Sequence, residues 1–165
     1  MRIQHLLALA IAAGGTLQAQ AIELNEQFAL AITPAIYSDY RNSGISQTLG
    51  DPAAQLDLML SHASGLYAGV WTSNVDFGHD WENDDRFGTR QEVDYYLGYY
   101  WQITDAISLD GYYNHYTFPG EGQFNGSDIY LTLEAYGFFV GGKHSHDTDD
   151  IAFTQYAGYR TQLPL

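Results

Sequence analysis

The sequence predicts an all-β fold: an antiparallel, up-and-down β-barrel of the outer-membrane type with about eight strands. Three observations point to it. Apolar and polar residues alternate with a period of two along one segment after another. The connections between these segments alternate long, short, long, short. The chain also opens with an export signal.

That signal is residues 1–21. Arg2 supplies a short positive start, and Leu6 to Ala13 form an apolar run too short to span a bilayer. Ala19-Gln20-Ala21 fits a small-x-small cleavage site, so the mature chain is expected to begin at Ile22 and form one barrel domain over 22–165. With no cysteine in the chain, stability has to come from packing and hydrogen bonding.

Strand one is expected over Gln27 to Tyr40, with Phe28, Leu30, Ile32 and Ile36 on one face. Pro34 has no N–H and predicts a weakened ladder or a bulge there. A polar loop from Gly44 to Pro52 follows. The next strand turns Ala54, Leu56, Leu58 and Leu60 one way and Gln55, Asp57, Met59 and Ser61 the other. Ala63-Ser64-Gly65 makes a tight turn, and Leu66, Ala68 and Val70 resume the apolar face.

Phe77 to Thr89 is a long acidic loop. Strand four, Arg90 to Ile103, sets Val93, Tyr95, Leu97, Tyr99 and Trp101 against Asp94, Tyr96, Gly98, Tyr100 and Gln102. A helical period can be drawn through it too, but its tyrosines and central Gly98 favour a strand. Thr104-Asp105-Ala106 is a short turn. Ile107 to Phe118 is strand five, and Pro119 to Ser127 a loop. Strand six is Asp128 to Tyr136, Gly137 a very tight turn, and Phe138 to His144 strand seven. Ser145 to Asp149 then leads to strand eight, Asp150 to Gln162. Most of these strands match or slightly exceed the roughly 9–11 residues that a tilted membrane strand needs.

Composition agrees. Fourteen Tyr and 17 Gly suit strands and turns. A net charge of −14 opposes nucleic-acid binding, which needs Lys and Arg on phosphates.

The stretch GISQTLGDPAAQ followed by SGLYAGVWTSNVDF resembles the signature of a bacterial family, Gcw_chp, also described as candidate porins of the TorF type. The resemblance is strongest over Asp39 to Phe77 and continues in register to Gly158. It implies a secreted, β-rich protein and assigns no chemistry to any residue. Members of the family continue for several more strands beyond the point where this chain stops. The end, Thr161 to Leu165, reads as a strand entering a turn, without the closing aromatic common in outer-membrane barrels. A truncated larger barrel is therefore expected ahead of a closed eight-stranded one, though eight is an allowed number.

Enzyme signatures are absent: GxGxxG, P-loop, HExxH and GxSxG patterns do not occur. His144-Ser145-His146-Asp147, with Asp149 and Asp150, reads as a solvated acidic loop rather than a metal site, as does the group His79, Asp80, Glu82, Asp84 and Asp85. Ser61 and His62 are sequence neighbours on a strand and face opposite ways. His62 and His115 are free in principle to meet a distant Ser, but no motif points to it. No catalytic residue, metal or cofactor is expected.

The polar face is more suggestive. Asp57, Asp94, Asp110, Asp128 and Glu134, with Lys143 and Arg160, are expected to face a barrel lumen. They either fill a narrow barrel with salt bridges or line a water-filled path. Tyr95, Trp101 and Tyr159 fit the aromatic girdles of a membrane barrel. A soluble sandwich would turn the apolar face inward instead, and periodicity alone does not separate the two. The expected function is a porin-like outer-membrane channel for small solutes, preferring cations, whose partners are membrane lipid, lipopolysaccharide and those solutes. The alternatives are a non-conducting barrel with acidic, adhesive outer loops, or a secreted soluble β-protein that binds a ligand inside.

Overall fold

The computed structural model describes residues 20–80, 85–146 and 153–160. They form a nine-stranded antiparallel sheet and two short hairpins, with one 3-10 turn at Gly122–Phe124. The strands are β1 (Gln20–Glu23), β2 (Phe28–Tyr37), β3 (Arg41–Asn42), β4 (Ile45–Ser46), β5 (Ala53–His62), β6 (Leu66–Asn74) and β7 (His79–Asp80). Then come β8 (Asp85–Arg86), β9 (Gln91–Thr104), β10 (Ile107–Thr117), β11 (Gly126–Ala135), β12 (Phe138–Ser145) and β13 (Phe153–Tyr159). The order across the sheet is β1-β2-β5-β6-β9-β10-β11-β12-β13, so each long strand pairs with the next in sequence. This is the expected up-and-down arrangement. Among the described residues β1 and β13 are the edges, and no ladder joins them.

The eight expected strands are β2, β5, β6 and β9 to β13, with ends displaced by a few residues. Strand β1 is an addition. It takes Gln20 and Ala21, which the cleavage motif assigns to the leader, and pairs Ala21 with Ala31. Residues 1–19 lie outside the described residues, as do 147–152, which hold the last long loop and the expected start of strand eight. The ladder between β2 and β5 runs from Phe28↔His62 to Tyr37↔Ala53 without a shift, so Pro34 makes no bulge. Pro34 lies past the last pair with β1, Ile32↔Gln20, where β2 has one strand neighbour and the missing N–H is tolerated. The irregularity is elsewhere, between Ile107 and Ser108 in the β9–β10 ladder.

The short connections lie at one end of the sheet. Tyr136 and Gly137 both have positive φ, 55° and 82°, the pattern of a type I′ turn, whose twist suits antiparallel neighbours. Tyr136 N–H donates to Ala106 O at 2.9 Å, tying that turn to the preceding one. Among the described residues the long connections lie at the other end, and two of them pack together. Phe77, Phe87, Phe118 and Phe124 form an edge-to-face cluster between two loops. Gly88 N–H donates to the Glu121 carboxylate at 2.6 Å across them.

Alternation sets the two faces. One carries Leu58, Leu97, Leu131 and Val140, which are 39 %, 56 %, 55 % and 55 % exposed. The other carries Asp110, Asn114, Glu92 and Asp128, all buried. The face that water usually wets is the covered one. What covers it is a set of aromatic rings laid across glycines. Tyr67 faces Gly98, Tyr96 faces Gly69, Tyr116 faces Gly126, Tyr156 faces Gly141 and Phe139 faces Gly158, each as a direct cross-strand pair. A Cβ on Gly98 would stand 2.3 Å from the Tyr67 ring and one on Gly69 2.3 Å from the Tyr96 ring. Only glycine lets these rings lie flat.

Replacing Gly98 with Ala is therefore expected to lower stability by about 1–3 kcal/mol through overpacking. Gly111→Ala is the control, because its nearest contact would be an ordinary 3.4 Å. Urea-dependent refolding of the two variants measures the difference, and equal losses would contradict the ring-over-glycine account.

Candidate functional site

All seven residues expected to face a lumen lie on the covered face, at three levels. At the turn end, Arg160 reaches Glu134 at 2.6 Å, and its guanidinium lies over the Phe139 ring at 4.6 Å. In the middle, the Tyr67 hydroxyl donates to Asp110 at 2.8 Å and the Tyr96 hydroxyl to Asp57 at 2.6 Å. Each tyrosine starts on one strand, crosses the glycine of its neighbour, and ends on the strand beyond. Tyr156 does the same across Gly141 and meets the Thr132 hydroxyl at 2.5 Å. Tyr112 and Tyr130 stack in parallel with centroids 4.4 Å apart.

At the loop end the remaining groups surround a cavity of about 250 Å³. Asp94 accepts from Asn114 Nδ2 at 2.7 Å. Asp128 accepts from the Tyr130 hydroxyl at 3.1 Å and faces Lys143 Nζ at 3.4 Å. Glu92, only 4 % exposed, joins them. Glu92 is not among the residues expected from the sequence, although it has the same strand parity as Asp94. The tyrosine partners were likewise not anticipated, since a hydroxyl that crosses a whole strand leaves no local pattern.

The cavity's rim is the β3–β4 hairpin, which contributes Arg41, Asn42 and Ser43. Asp39 anchors it. Its carboxylate accepts from the Ser46 hydroxyl at 2.5 Å and pairs with Arg41 Nε at 2.6 Å, while the Thr48 hydroxyl sits 3.1 Å away. Ser43, Gly44, Leu49 and Gly50 take positive φ to make the bends. Tyr40, just before the hairpin, sets its ring edge-on to Trp71 at 5.5 Å. The motif's second half locks to the first: Asn74 accepts from Ala54 N–H at 2.7 Å and donates to Pro52 O at 3.1 Å, and Asp76 N–H donates to Gln47 O at 2.8 Å. The first half of the sequence signature and the end of its second half thus form one interlocked cap at the mouth of the covered face.

Two acids of this cap have carboxyls held below the usual range. For Asp39 the main cause is the Ser46 hydroxyl, and for Asp76 the backbone N–H of Gly78, with Arg86 assisting. A depressed folded-state pKa gives stability that is present above the unfolded value, about 3.9, and is lost as pH falls through the folded one.

Elsewhere the chemistry is sparse. His115 Nδ1 does meet a serine, Ser127 Oγ, at 3.1 Å on the apolar face. Ser127 is 8 % exposed, and its hydroxyl already accepts from Tyr113 at 2.7 Å. His62 contacts Ser64 within its own turn at 2.9 Å. Among the described residues no group of three or more His, Cys, Asp or Glu side chains is placed to hold a metal. Asp147, Asp149 and Asp150 of the last loop, and Glu82 and Asp84 of the acidic loop, lie outside those residues.

Acidification below pH 4 is expected to loosen the cap before the sheet, seen as loss of near-ultraviolet circular dichroism with far-ultraviolet signal retained. Tyr96→Phe removes the tyrosine donor of Asp57, leaving the backbone N–H of Leu58, and is expected to cost about 1–3 kcal/mol in urea unfolding. No loss in that variant would mean that Leu58 N–H or water satisfies Asp57.

Searches of curated proteins and of solved structures return no match. A family model does match: Gcw_chp, described as a bacterial protein of unknown function, over residues 22–161. That span takes in the whole cap and the sheet from Ile22 onward, and the chain belongs to the Gcw_chp family.

Proposed function

We propose that this sheet is the wall of an outer-membrane β-barrel, and that its polar face lines a path for small solutes, cations in preference to anions. The observation that carries the reading is the inverted polarity. Soluble monomers rarely expose apolar patches beyond a few hundred Å², yet here every long strand presents its apolar side outward. Membrane barrels have that arrangement, apolar outside and polar inside. Aromatics stand near both ends of the outer face, with Tyr95, Tyr113 and Phe153 toward the loops and Trp101, Phe138 and Tyr159 toward the turns. The turns are short and the loops long, as in barrels inserted from the periplasm. In lipid the edges β1 and β13 both need a partner strand, because unpaired backbone groups are not tolerated there.

The cation preference follows from the interior charge. Glu92, Asp57, Asp94, Asp110, Asp128 and Glu134 face Lys143 and Arg160. Acidic rings favour cation passage. A second reading, a non-conducting barrel, draws on the middle level, where tyrosines and acids hydrogen-bond across the interior. Small barrels are filled in this way.

Planar-bilayer conductance of the refolded chain decides between them. A reversal potential directed toward cations across a salt gradient is expected, weakening toward 1 M salt, where the Debye length is about 3 Å. Asp94→Asn and Asp128→Asn are expected to reduce it and Asp105→Asn, in an exposed turn, to matter less. Anion selectivity at low salt would defeat the proposal, and absence of conductance would favour the filled barrel. On intact cells, added protease is expected to cut in the long loops alone; cleavage at Ser64 would reverse the topology.

A further inference from the structure

We infer that the loop-end cavity is a binding site for a small organic cation carrying ammonium groups. Assigning it a solute class rests on the channel reading above. Glu92 and Asp128 are each 4 % exposed, and Glu92 Oε2, Asp94 Oδ1 and Asp128 Oδ1 have no hydrogen-bond donor. A buried carboxylate oxygen without a donor is costly, so the cavity presents three acceptors that call for N–H groups. Lys143 answers one of these acids, at 3.4 Å from the other oxygen of Asp128, and shows that an ammonium fits among them. The guanidinium of Arg41 at the rim is engaged by Asp39 at 2.6 Å. Glu92 and Asp94 therefore have no cationic partner among the described residues.

The walls select the kind of cation. Tyr40, Tyr116, Phe118 and Tyr130 line the cavity with aromatic surface, which attracts ammonium groups through the ring faces. A volume of about 250 Å³ is far more than the roughly 30 Å³ of a water and close to the lower end of small-molecule sites, roughly 300–1,000 Å³. The acids are not gathered at the spacing that three ligands around one metal ion require. An ammonium with three N–H donors on a short carbon chain matches both the separated acceptors and the aromatic walls. Two acids without cationic partners favour a diamine over a monoamine.

Isothermal titration of the refolded full chain in detergent at low salt tests this with 1,4-diaminobutane as the probe. Saturable binding of the diamine is expected, with none of 1,4-butanediol, which has the same length and no charge. Glu92→Gln and Asp94→Asn are each expected to weaken it by roughly tenfold, with Asp105→Asn unchanged. Heat-modifiable migration on a gel checks that each variant folds; should one fail, the other and the diol comparison carry the test. Equal affinity for Mg²⁺ would reduce the site to a general acidic surface and overturn the inference, as would undiminished binding in a folded variant. Cation-selective conductance without diamine binding would remove the site and leave the channel. Diamine binding without conductance would support the site and remove the channel.

Discussion

The structure depends on one steric permission: a ring can lie flat over a neighbouring strand only where the residue opposite has no side chain. Among the described residues five such pairs line the covered face, Tyr67 over Gly98 and Tyr96 over Gly69 included. With any Cβ at those glycines the rings would have to stand up from the sheet. Lying down, they cover the backbone and fill the space above it. They also carry their hydroxyls one strand further than a direct neighbour can reach. Tyr67 thereby meets Asp110 on the strand beyond Gly98, and Tyr96 meets Asp57 beyond Gly69. Glycine usually weakens a strand; here the opposing ring replaces the packing it lacks.

The same geometry divides the covered face by how well its charges are answered. Asp57 and Asp110 each have a phenol donor, and Glu134 has Arg160. Asp110 Oδ2 and Arg160 Nε are left without a partner there, but each acid of these levels has a directed donor that helps hold the sheet. At the loop end the rings, Tyr116 over Gly126 among them, border the cavity, and carboxylate oxygens of Glu92, Asp94 and Asp128 lack donors. Three unmet acceptors around one cavity, against the single Asp110 Oδ2 in the middle level, set the loop end apart as the place where the proposed ligand would bind. The cap built by Asp39, Asn74 and Asp76 lies over that level. The family signature therefore encodes the mouth and, through Tyr67 and Gly69 on β6, part of the wall.

The inverted polarity has a related cause. Tyrosine and aspartate need hydrogen-bond partners when covered, and they find them in one another across the concealed face. The leucines and valines opposite need none and are left on the outside. A hydrocarbon surrounding removes the cost of that outer surface in water, about 25 cal/mol per Å² of apolar area. This energetic match links the interior tyrosine network to the membrane setting proposed above.

From the sequence alone came the all-β class, the succession of strands and turns, and the face on which each expected acid lies. Alternation encodes these directly: the parity that sends Leu56 and Leu58 one way sends Asp57 the other. The same parity held Glu92 beside Asp94 and was available to be read. Tertiary structure alone decided which face is covered, because a period of two is identical for an inward and an outward apolar side. It alone brought Tyr67 to Asp110, 43 residues apart in the chain, since that contact depends on ladder register and a glycine on a third strand. The β3–β4 hairpin inside a polar loop, the regular ladder at Pro34 and the pairing of β1 with β2 also appeared only there. Each depends on what neighbouring backbone leaves unpaired, and no single stretch of residues carries that information.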